Sequence, residues 1–154
     1  MYKYLSLVFT LLIAVSMLFT ACGEDDPIVE PVTDALTAKV TTPAIGTADF
    51  TATTISATTS GTLLNISGAV SGKNMTISVT NNGTIGTRAI TLTGPAFATY
   101  IDGTQTFNAN SGSITIATWN TTEKTITGTF QYDAQTGTGA GRSITEGTFA
   151  ANYQ

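Results

Sequence analysis

The sequence predicts an all-β protein whose only helix is an N-terminal leader, and three observations carry that prediction. From Leu36 onward apolar and polar residues alternate with a period of two, which is the pattern of half-buried strands. Threonine makes up nearly a quarter of residues 22–154, and its branched side chain suits a pleated sheet better than a helix. Turn-forming Gly, Asn, Asp and Pro interrupt the alternation at short intervals. We therefore expect about nine or ten antiparallel strands.

Residues 1–21 form a predicted signal peptide. Lys3 precedes an apolar run from Leu5 to Phe19, and the small residues Thr20 and Ala21 follow it. This three-part order is typical of secretory signals. The apolar run is shorter than the roughly 20 residues needed to cross a hydrocarbon core about 30 Å thick. A retained transmembrane helix is therefore the weaker alternative.

Cys22 is the only cysteine, and it stands directly after the leader. A cysteine that follows small residues at this point resembles the lipobox of bacterial lipoproteins. The resemblance implies cleavage before Cys22, a diacylglycerol on its thiol and an acyl chain on the new N-terminus. Two or more acyl chains make a stable anchor, because each buried methylene contributes about 0.8 kcal/mol. The membrane is thus an expected partner through lipid on Cys22, and a plain signal peptide with a free thiol is the alternative.

Three acidic residues, Glu24, Asp25 and Asp26, come just after the cysteine. They resemble the export tag of Bacteroidota surface lipoproteins, which implies an outer-membrane protein whose domain faces the cell exterior. The alternative is a domain on the periplasmic face, with the acids only solvating the tether. Residues 22–35 also hold two prolines and few large apolar groups, which is typical of a flexible linker. The expected organisation is a signal peptide at 1–21, a lipidated and acidic tether at 22–35, and a β domain at 36–154.

The β domain is predicted to have no catalytic equipment. Histidine is absent and the one cysteine is assigned to the anchor, so zinc sites, imidazole-activated nucleophiles and thiol redox centres lack their usual residues. From Leu36 onward five bases balance five acids, and a neutral domain does not attract nucleic acid. No spacing forces two of the acids together as a glycosidase pair would require. We therefore predict no enzyme activity, no cofactor, no metal site and no nucleic-acid partner.

The strands of the first half follow from the alternation and the turn residues. The first is predicted at roughly 36–41, and the second at roughly 50–59, where it closes on Ser60-Gly61. Two further strands at 64–70 and 75–79 are joined by Ser71-Gly72. Asn81-Asn82-Gly83 then predicts a hairpin, since Asn and Gly tolerate positive φ. Ile90 and Leu92 are expected in the strand that follows.

The second half continues in the same way. Phe97, Thr99 and Ile101 share one predicted face before a turn at 102–103, and Phe107 follows. Reversals are expected at 110–112 and 120–122, on either side of a strand at 114–116. The clearest strand places four residues on one face: Ile126, Gly128, Phe130 and Tyr132. A flexible loop is predicted at 133–142. The opposite parity of Ile144 and Phe149 in the last strand predicts a bulge at Gly147.

Short connections favour strands that lie side by side and antiparallel. A meander of nine or ten such strands curls into an up-and-down barrel or folds over as a β-sandwich, because a twisted sheet of that size rarely stays open. We predict the barrel-like arrangement and keep the sandwich as the alternative.

Three stretches near the C-terminus share a strand-and-turn signature. They are Gly-Ser-Ile-Thr-Ile at 112–116, Lys-Thr-Ile-Thr-Gly-Thr-Phe-Gln-Tyr at 124–132 and Ile-Thr-Glu-Gly-Thr-Phe at 144–149. The pattern resembles a family of small Bacteroidota surface lipoproteins whose domain is of unknown function. The likeness covers most of the chain from Leu36. It implies a fold and a location, and it assigns no functional residue.

Exposed aromatic side chains are the candidate ligand-binding residues. Parity places Tyr100 and Trp119 opposite Ile101, Ile114 and Ile116, so both are predicted to face solvent, where a ring can stack on a sugar. The alternative is a position near a strand end or in the second layer of the core.

The predicted function is a non-catalytic binding or adhesion module with a glycan or protein ligand. The alternative is a lipocalin-like carrier that holds a small apolar or sugar ligand inside a closed barrel. Large apolar residues at most inward positions would favour a filled core, and the sequence leans that way.

Overall fold

The computed structural model describes residues 31–154, within which Val32–Gln154 form one compact unit. None of these residues lies in a helix, so the described part has no helical segment able to span a membrane. The predicted signal peptide and Cys22 lie outside the described residues. The strands are β1 (Ala35–Thr42), β2 (Gly46–Thr51), β3 (Thr54–Ser60), β4 (Leu63–Val70), β5 (Lys73–Thr80), β6 (Gly86–Ala89), β7 (Ala96–Asp102), β8 (Gln105–Asn120), β9 (Thr125–Gln135) and β10 (Gly141–Asn152).

All ten strands belong to one antiparallel sheet that curls into a half-barrel. The order of neighbours is β2-β1-β10-β9-β8-β7-β5-β4-β3, and β6 pairs with β8 beside this path. The predicted barrel-like all-β class is confirmed, and the sandwich alternative is not formed. The order departs from a simple meander at two places. β1 lies between β2 and β10, and β5 pairs with β7 rather than with β6.

Backbone hydrogen bonds between segments distant in sequence stabilise the curled shape of the sheet. The amide of Ala52 donates to the carbonyl of Leu36 at 3.0 Å, and the amide of Thr59 donates to the carbonyl of Gln154 at 3.0 Å. A Cβ on Gly68 would lie 2.7 Å from that of Ala52 and would also collide with Leu36. The missing side chain at Gly68 therefore lets β4 pack closely against the start of β1.

The segment just ahead of β1 is fixed to the end of β10. The backbone amide of Asn152 donates to Oδ1 of Asp34 at 2.8 Å, and its side-chain nitrogen donates to the carbonyl of Val32 at 2.6 Å. The last residues of the predicted tether thus contact the β domain.

The core face is filled with large apolar side chains, as the parity of the strands requires. The predicted face of β9 is confirmed, because Ile126, Gly128, Phe130 and Tyr132 are all buried. Twelve of the described core residues are 0% exposed: Leu64, Ile66, Met75, Ile77, Val79, Ile90, Ala96, Phe107, Ile114, Ile126, Ile144 and Ala151.

The predicted bulge in the last strand is confirmed. The pairing of β10 with β9 shifts register between Ile144 and Gly147. Glu146, in between, adopts a φ of 51°. Its side chain is therefore turned out of the regular ladder, as at other bulges.

Several predicted strand boundaries are wrong. At each of them the chain changes its pairing partner, and the local residues do not indicate that change. The strand predicted at 50–59 is two strands, β2 and β3, which pair with β1 and β4 respectively. The hairpin predicted at 81–83 is absent, since β6 pairs with β8. Ile90 forms only an isolated bridge and Leu92 is exposed.

One predicted reversal and one predicted loop in the second half are also corrected. The chain does not turn at 110–112, because β8 continues through a register shift between Ala109 and Ser111. A bulge bends the strand here in place of a turn. The loop predicted at 133–142 is shorter, since β9 extends to Gln135 and β10 begins at Gly141.

Candidate functional site

Six threonines form a continuous row across six neighbouring strands on the solvent face. Each lies directly opposite the next in the strand pairing. Hydroxyl contacts of 2.8 Å join Thr37 to Thr148 and Thr87 to Thr115. We call this the threonine row, and its members from β2 to β6 are Thr51, Thr37, Thr148, Thr129, Thr115 and Thr87.

A second row of polar side chains runs beside the first, two residues further along the strands. Lys39 lies opposite Asp49, and Gln131 lies opposite Ser113. Glu146, on the β10 bulge, lies between the Lys39–Asp49 pair and the Gln131–Ser113 pair. The ammonium of Lys39 is 3.1 Å from Oε2 of Glu146, with both side chains well exposed. We call these five residues the charged row.

A shallow groove crosses the strands between the two rows. It consists of two adjoining depressions, one of about 560 Å³ over β8, β9 and β10 and one of about 200 Å³ over β1 and β2. Glu146 lines both of them. With strands about 4.8 Å apart, the five strands give a length of roughly 19 Å. We call this the transverse groove.

The exposed side chains of the transverse groove are hydrogen-bonding groups, and the two aromatic residues in its lining, Phe130 and Phe50, are buried. Its walls offer hydroxyl, carboxamide, carboxylate and ammonium groups, which can donate to and accept from a polar ligand. A third depression of about 240 Å³ adjoins it at Gln131 and reaches Asp133 and Ser143. The arrangement suits an extended polar chain laid across the strands.

Glu146 holds the central position in this groove. A non-glycine residue at positive φ stores strain of about 1–3 kcal/mol, and such residues concentrate at functional sites. Here the bulge directs the carboxylate toward Lys39, where the two depressions meet. The bulge in β10 therefore places the Glu146 carboxylate at the centre of the groove.

The prediction that Tyr100 faces solvent is wrong. Tyr100 is 1% exposed, and its ring packs edge-on against Phe50 at 6.2 Å and beside Phe107 at 6.0 Å between centroids. Its β7 neighbours Phe97 and Ile101 are the half-buried ones. The two faces of β7 are similarly apolar, so its alternation was assigned with the wrong parity.

Trp119 lies near the end of β8, half-buried and packed against the core. Its indole nitrogen donates to the hydroxyl of Tyr153 at 3.0 Å, and the two rings are nearly perpendicular. The guanidinium carbon of Arg88 lies over the indole, 5.5 Å from its centroid. A sugar approaching that face would compete with Arg88. The structure does not bring Trp119 and Tyr100 together into one aromatic platform.

The residues of the transverse groove were missed at the sequence level, although their strands were mostly predicted. Nine of the ten described strands contain threonine, so many registers would place some threonines side by side. Only the observed pairing shows which six align. Among the residues that the structure describes, no three Asp, Glu, Cys or His side chains come close enough to hold a metal ion.

Comparison with known proteins gives one family and no individual relative. A family model described as "Domain of unknown function (DUF6252)" matches residues 44–151, from the turn before β2 to the last residues of β10. No curated protein and no solved structure matches the chain. The matched range includes most of the transverse groove, with Thr37 and Lys39 of β1 just ahead of it. Because the match covers most of the sequence, the chain belongs to the DUF6252 family.

Proposed function

We propose that this protein is a lipid-anchored binding module of the outer-membrane surface that recognises a glycan in its transverse groove. The observation that supports the proposal is the threonine row, which lines one side of the groove across five strands without interruption. No catalytic step is part of the proposal.

A glycan suits the groove better than an apolar ligand does. Sugar hydroxyls both donate and accept hydrogen bonds, and so do the hydroxyl and carboxamide groups that line the walls. Each threonine also presents a methyl group, which can contact the C–H face of a sugar ring. The groove is long and shallow, so it can hold several units of a polymer whose ends extend beyond it.

The filled core favours this module over a lipocalin-like carrier. Inward positions hold fully buried side chains such as Ile66, Met75 and Ile114, whereas a carrier needs an internal cavity for its ligand. The three depressions described above all lie on the solvent face. A glycan bound there would be reached directly from outside.

The groove brings two carboxylates into one depression, which the sequence did not predict. Asp49 and Glu146 both line the smaller depression, and Lys39 lies between them. The Glu146 carboxylate is held 3.1 Å from the Lys39 ammonium, where its oxygens can accept hydrogen bonds from a ligand. Glycans recovered after binding are therefore expected to be intact, and cleaved products would contradict the proposal.

Replacing Thr129 by valine is expected to weaken glycan binding about fivefold to tenfold, because it removes one hydroxyl from the centre of the row and keeps the side-chain shape. Binding is measured with the full-length protein on a glycan array and then by calorimetry with the selected glycan. Thr99→Val is the matched control, since Thr99 lies on the solvent face of β7, away from the groove. Equal losses in the two variants would argue against binding in the groove.

The anchor is tested separately at the mature N-terminus. Mass spectrometry is expected to find Cys22 as the first residue, with acyl chains on its thiol and amino groups. Cys22→Ser is expected to move the protein from the membrane fraction to the soluble fraction. An unmodified Cys22 thiol would contradict the anchor, and it would leave the glycan-binding experiment unaffected.

A further inference from the structure

The third depression, of about 240 Å³, lies beside the transverse groove rather than in line with it. It is lined by the same three strands as the larger depression of the groove, but by residues further along β9 toward its C-terminal end. Gln131 is the residue that lines both. We call this depression the side pocket. It extends along the strands, whereas the groove crosses them.

The bulge in β10 separates the side pocket from the groove. The pairing of β10 with β9 shifts register between Ile144 and Gly147. Two residues of β10, Thr145 and Glu146, therefore stand opposite Gln131 alone, and such an extra residue bends and twists the strand. Thr145 lines the side pocket and Glu146 lines the groove. The two spaces thus meet over Gln131, on either side of the bulge.

The dimensions of the side pocket suit a single sugar unit. Its exposed and half-buried side chains come from two neighbouring strands, with Gln131 and Asp133 on β9 and Ser143 and Thr145 on β10. Neighbouring strands are only about 4.8 Å apart, whereas the groove crosses five strands. Its volume is also less than half of the 560 Å³ of the larger depression. A chain in the groove could therefore place one branching unit here, but the pocket is too short for a second chain.

The side chains of the pocket match the hydroxyl groups around a sugar ring. The hydroxyls of Ser143 and Thr145 and the carboxamide of Gln131 can each donate and accept hydrogen bonds. Asp133 lies directly opposite Ser143 in the strand pairing, and its exposed carboxylate adds acceptors. A sugar in the pocket would thus find partners on both strands.

A branch that itself carries a carboxylate fits the side pocket poorly. Asp133 is the charged residue of its described lining, and like charges close together repel. The neighbouring bases are engaged elsewhere. The ammonium of Lys39 is 3.1 Å from Oε2 of Glu146, and the guanidinium carbon of Arg142 lies 4.3 Å from the ring centroid of the core residue Phe107.

We propose that the side pocket binds one uncharged sugar that branches from a chain held in the transverse groove. This inference rests on the proposed function, and it specifies the ligand as a glycan with neutral branches. The branch would leave the main chain over Gln131, where groove and pocket meet. A linear glycan would fill the groove alone and would lack the hydrogen bonds of the side pocket.

The test compares linear, neutral-branched and acid-branched forms of the same backbone, using the full-length protein on a glycan array and then calorimetry. The array carries glucan, xylan and mannan oligosaccharides, with xylose, arabinose or galactose as the neutral branch and glucuronic acid as the acidic branch. The neutral branch is expected to raise the affinity about tenfold over the linear form, as one or two additional hydrogen bonds would. The acidic branch is expected to give no gain.

Two substitutions of Ser143 test whether the gain arises in the side pocket. Ser143→Phe is expected to abolish the tenfold ratio of branched to linear affinity, because the ring would fill the pocket. Ser143→Ala removes only the hydroxyl and is expected to reduce the ratio about threefold. Thr99→Phe is the matched control, since it introduces the same ring on the solvent face of β7, and it is expected to keep the ratio.

The outcomes separate this inference from the proposed function. A linear form that binds as tightly as the neutral-branched form would overturn the inference and leave the proposed function standing. So would a preference for the acidic branch, or a ratio that survives in Ser143→Phe. A failure to bind any glycan on the array would contradict the proposed function itself, and the inference with it.

Discussion

Replacing Ile126 by aspartate is expected to unfold the protein. Ile126 is 0% exposed on β9, where it lies opposite Trp119 of β8 and Ala151 of β10. A carboxylate at this position would be surrounded by apolar groups with no partner, at a cost of several kcal/mol. That cost is comparable with the whole stability of a small domain, about 5–15 kcal/mol. Urea denaturation followed by circular dichroism measures the change in free energy of unfolding.

Gln131→Asp is the matched control for this variant. Gln131 is on the same strand, with its side chain on the exposed face, so the same residue type is introduced without burial. The expected loss is about 1 kcal/mol or less, which is the range of strand propensity. A soluble Ile126→Asp protein with an unchanged unfolding midpoint would contradict the assignment of the core face.

Gly112→Ala is expected to destabilise the protein by roughly 2–3 kcal/mol, as overpacking in a core does. Gly112 has a φ of 148°, which L-residues rarely adopt. A Cβ there would lie 2.6 Å from the Cα of Tyr132 and would also overlap the carbonyl oxygen of Gln131. These are mostly backbone atoms of the paired strand β9, so they cannot move aside without disturbing the β8–β9 ladder. The change is measured as a lowered melting temperature and urea midpoint.

Gly137→Ala provides the comparison at an unconstrained glycine. A Cβ on Gly137 meets nothing within 4 Å, and the residue lies in the turn between β9 and β10. Its substitution is expected to change stability by no more than about 0.5 kcal/mol. Equal effects at Gly112 and Gly137 would show that the close contact of β8 with β9 is not rigid.

The sequence was most informative where pattern and turn chemistry agreed over short distances. The β4–β5 hairpin illustrates this, because its residues alternate cleanly and its turn residues Ser71 and Gly72 both have positive φ, at 46° and 76°. The face of β9 and the bulge before Gly147 were predicted for the same reason. Each of these features depends on residues that are close in sequence.

Features that depend on distant strands were not predictable in this way. A turn sequence at 81–83 shows that the chain bends, but it does not show that β6 will pair with β8. In β7 the small Ala98 and the large Tyr100 are buried while Phe97 stays half-buried, so hydrophobicity alone pointed to the wrong face. Parity was reliable where one face was clearly polar, and it failed where both faces were apolar.

The transverse groove also depends on the pairing of strands that are distant in sequence. Its rows come from the pairing of five strands, and the shift at the β10 bulge brings Glu146 beside Lys39. A slip of two residues in any one pairing would keep every residue on its face and would still break the row. The strands could therefore be predicted from the sequence, whereas the site that they form could not.

In the proposed function, the threonine row and the charged row together hold a glycan. Amide chemical shifts of the isotope-labelled protein, followed by nuclear magnetic resonance during glycan titration, test it most directly. The largest changes are expected at Thr129, Gln131, Glu146 and Thr148, with smaller ones on β1 and β2. Changes centred on β4, β5 and β7, or around Trp119 alone, would contradict it.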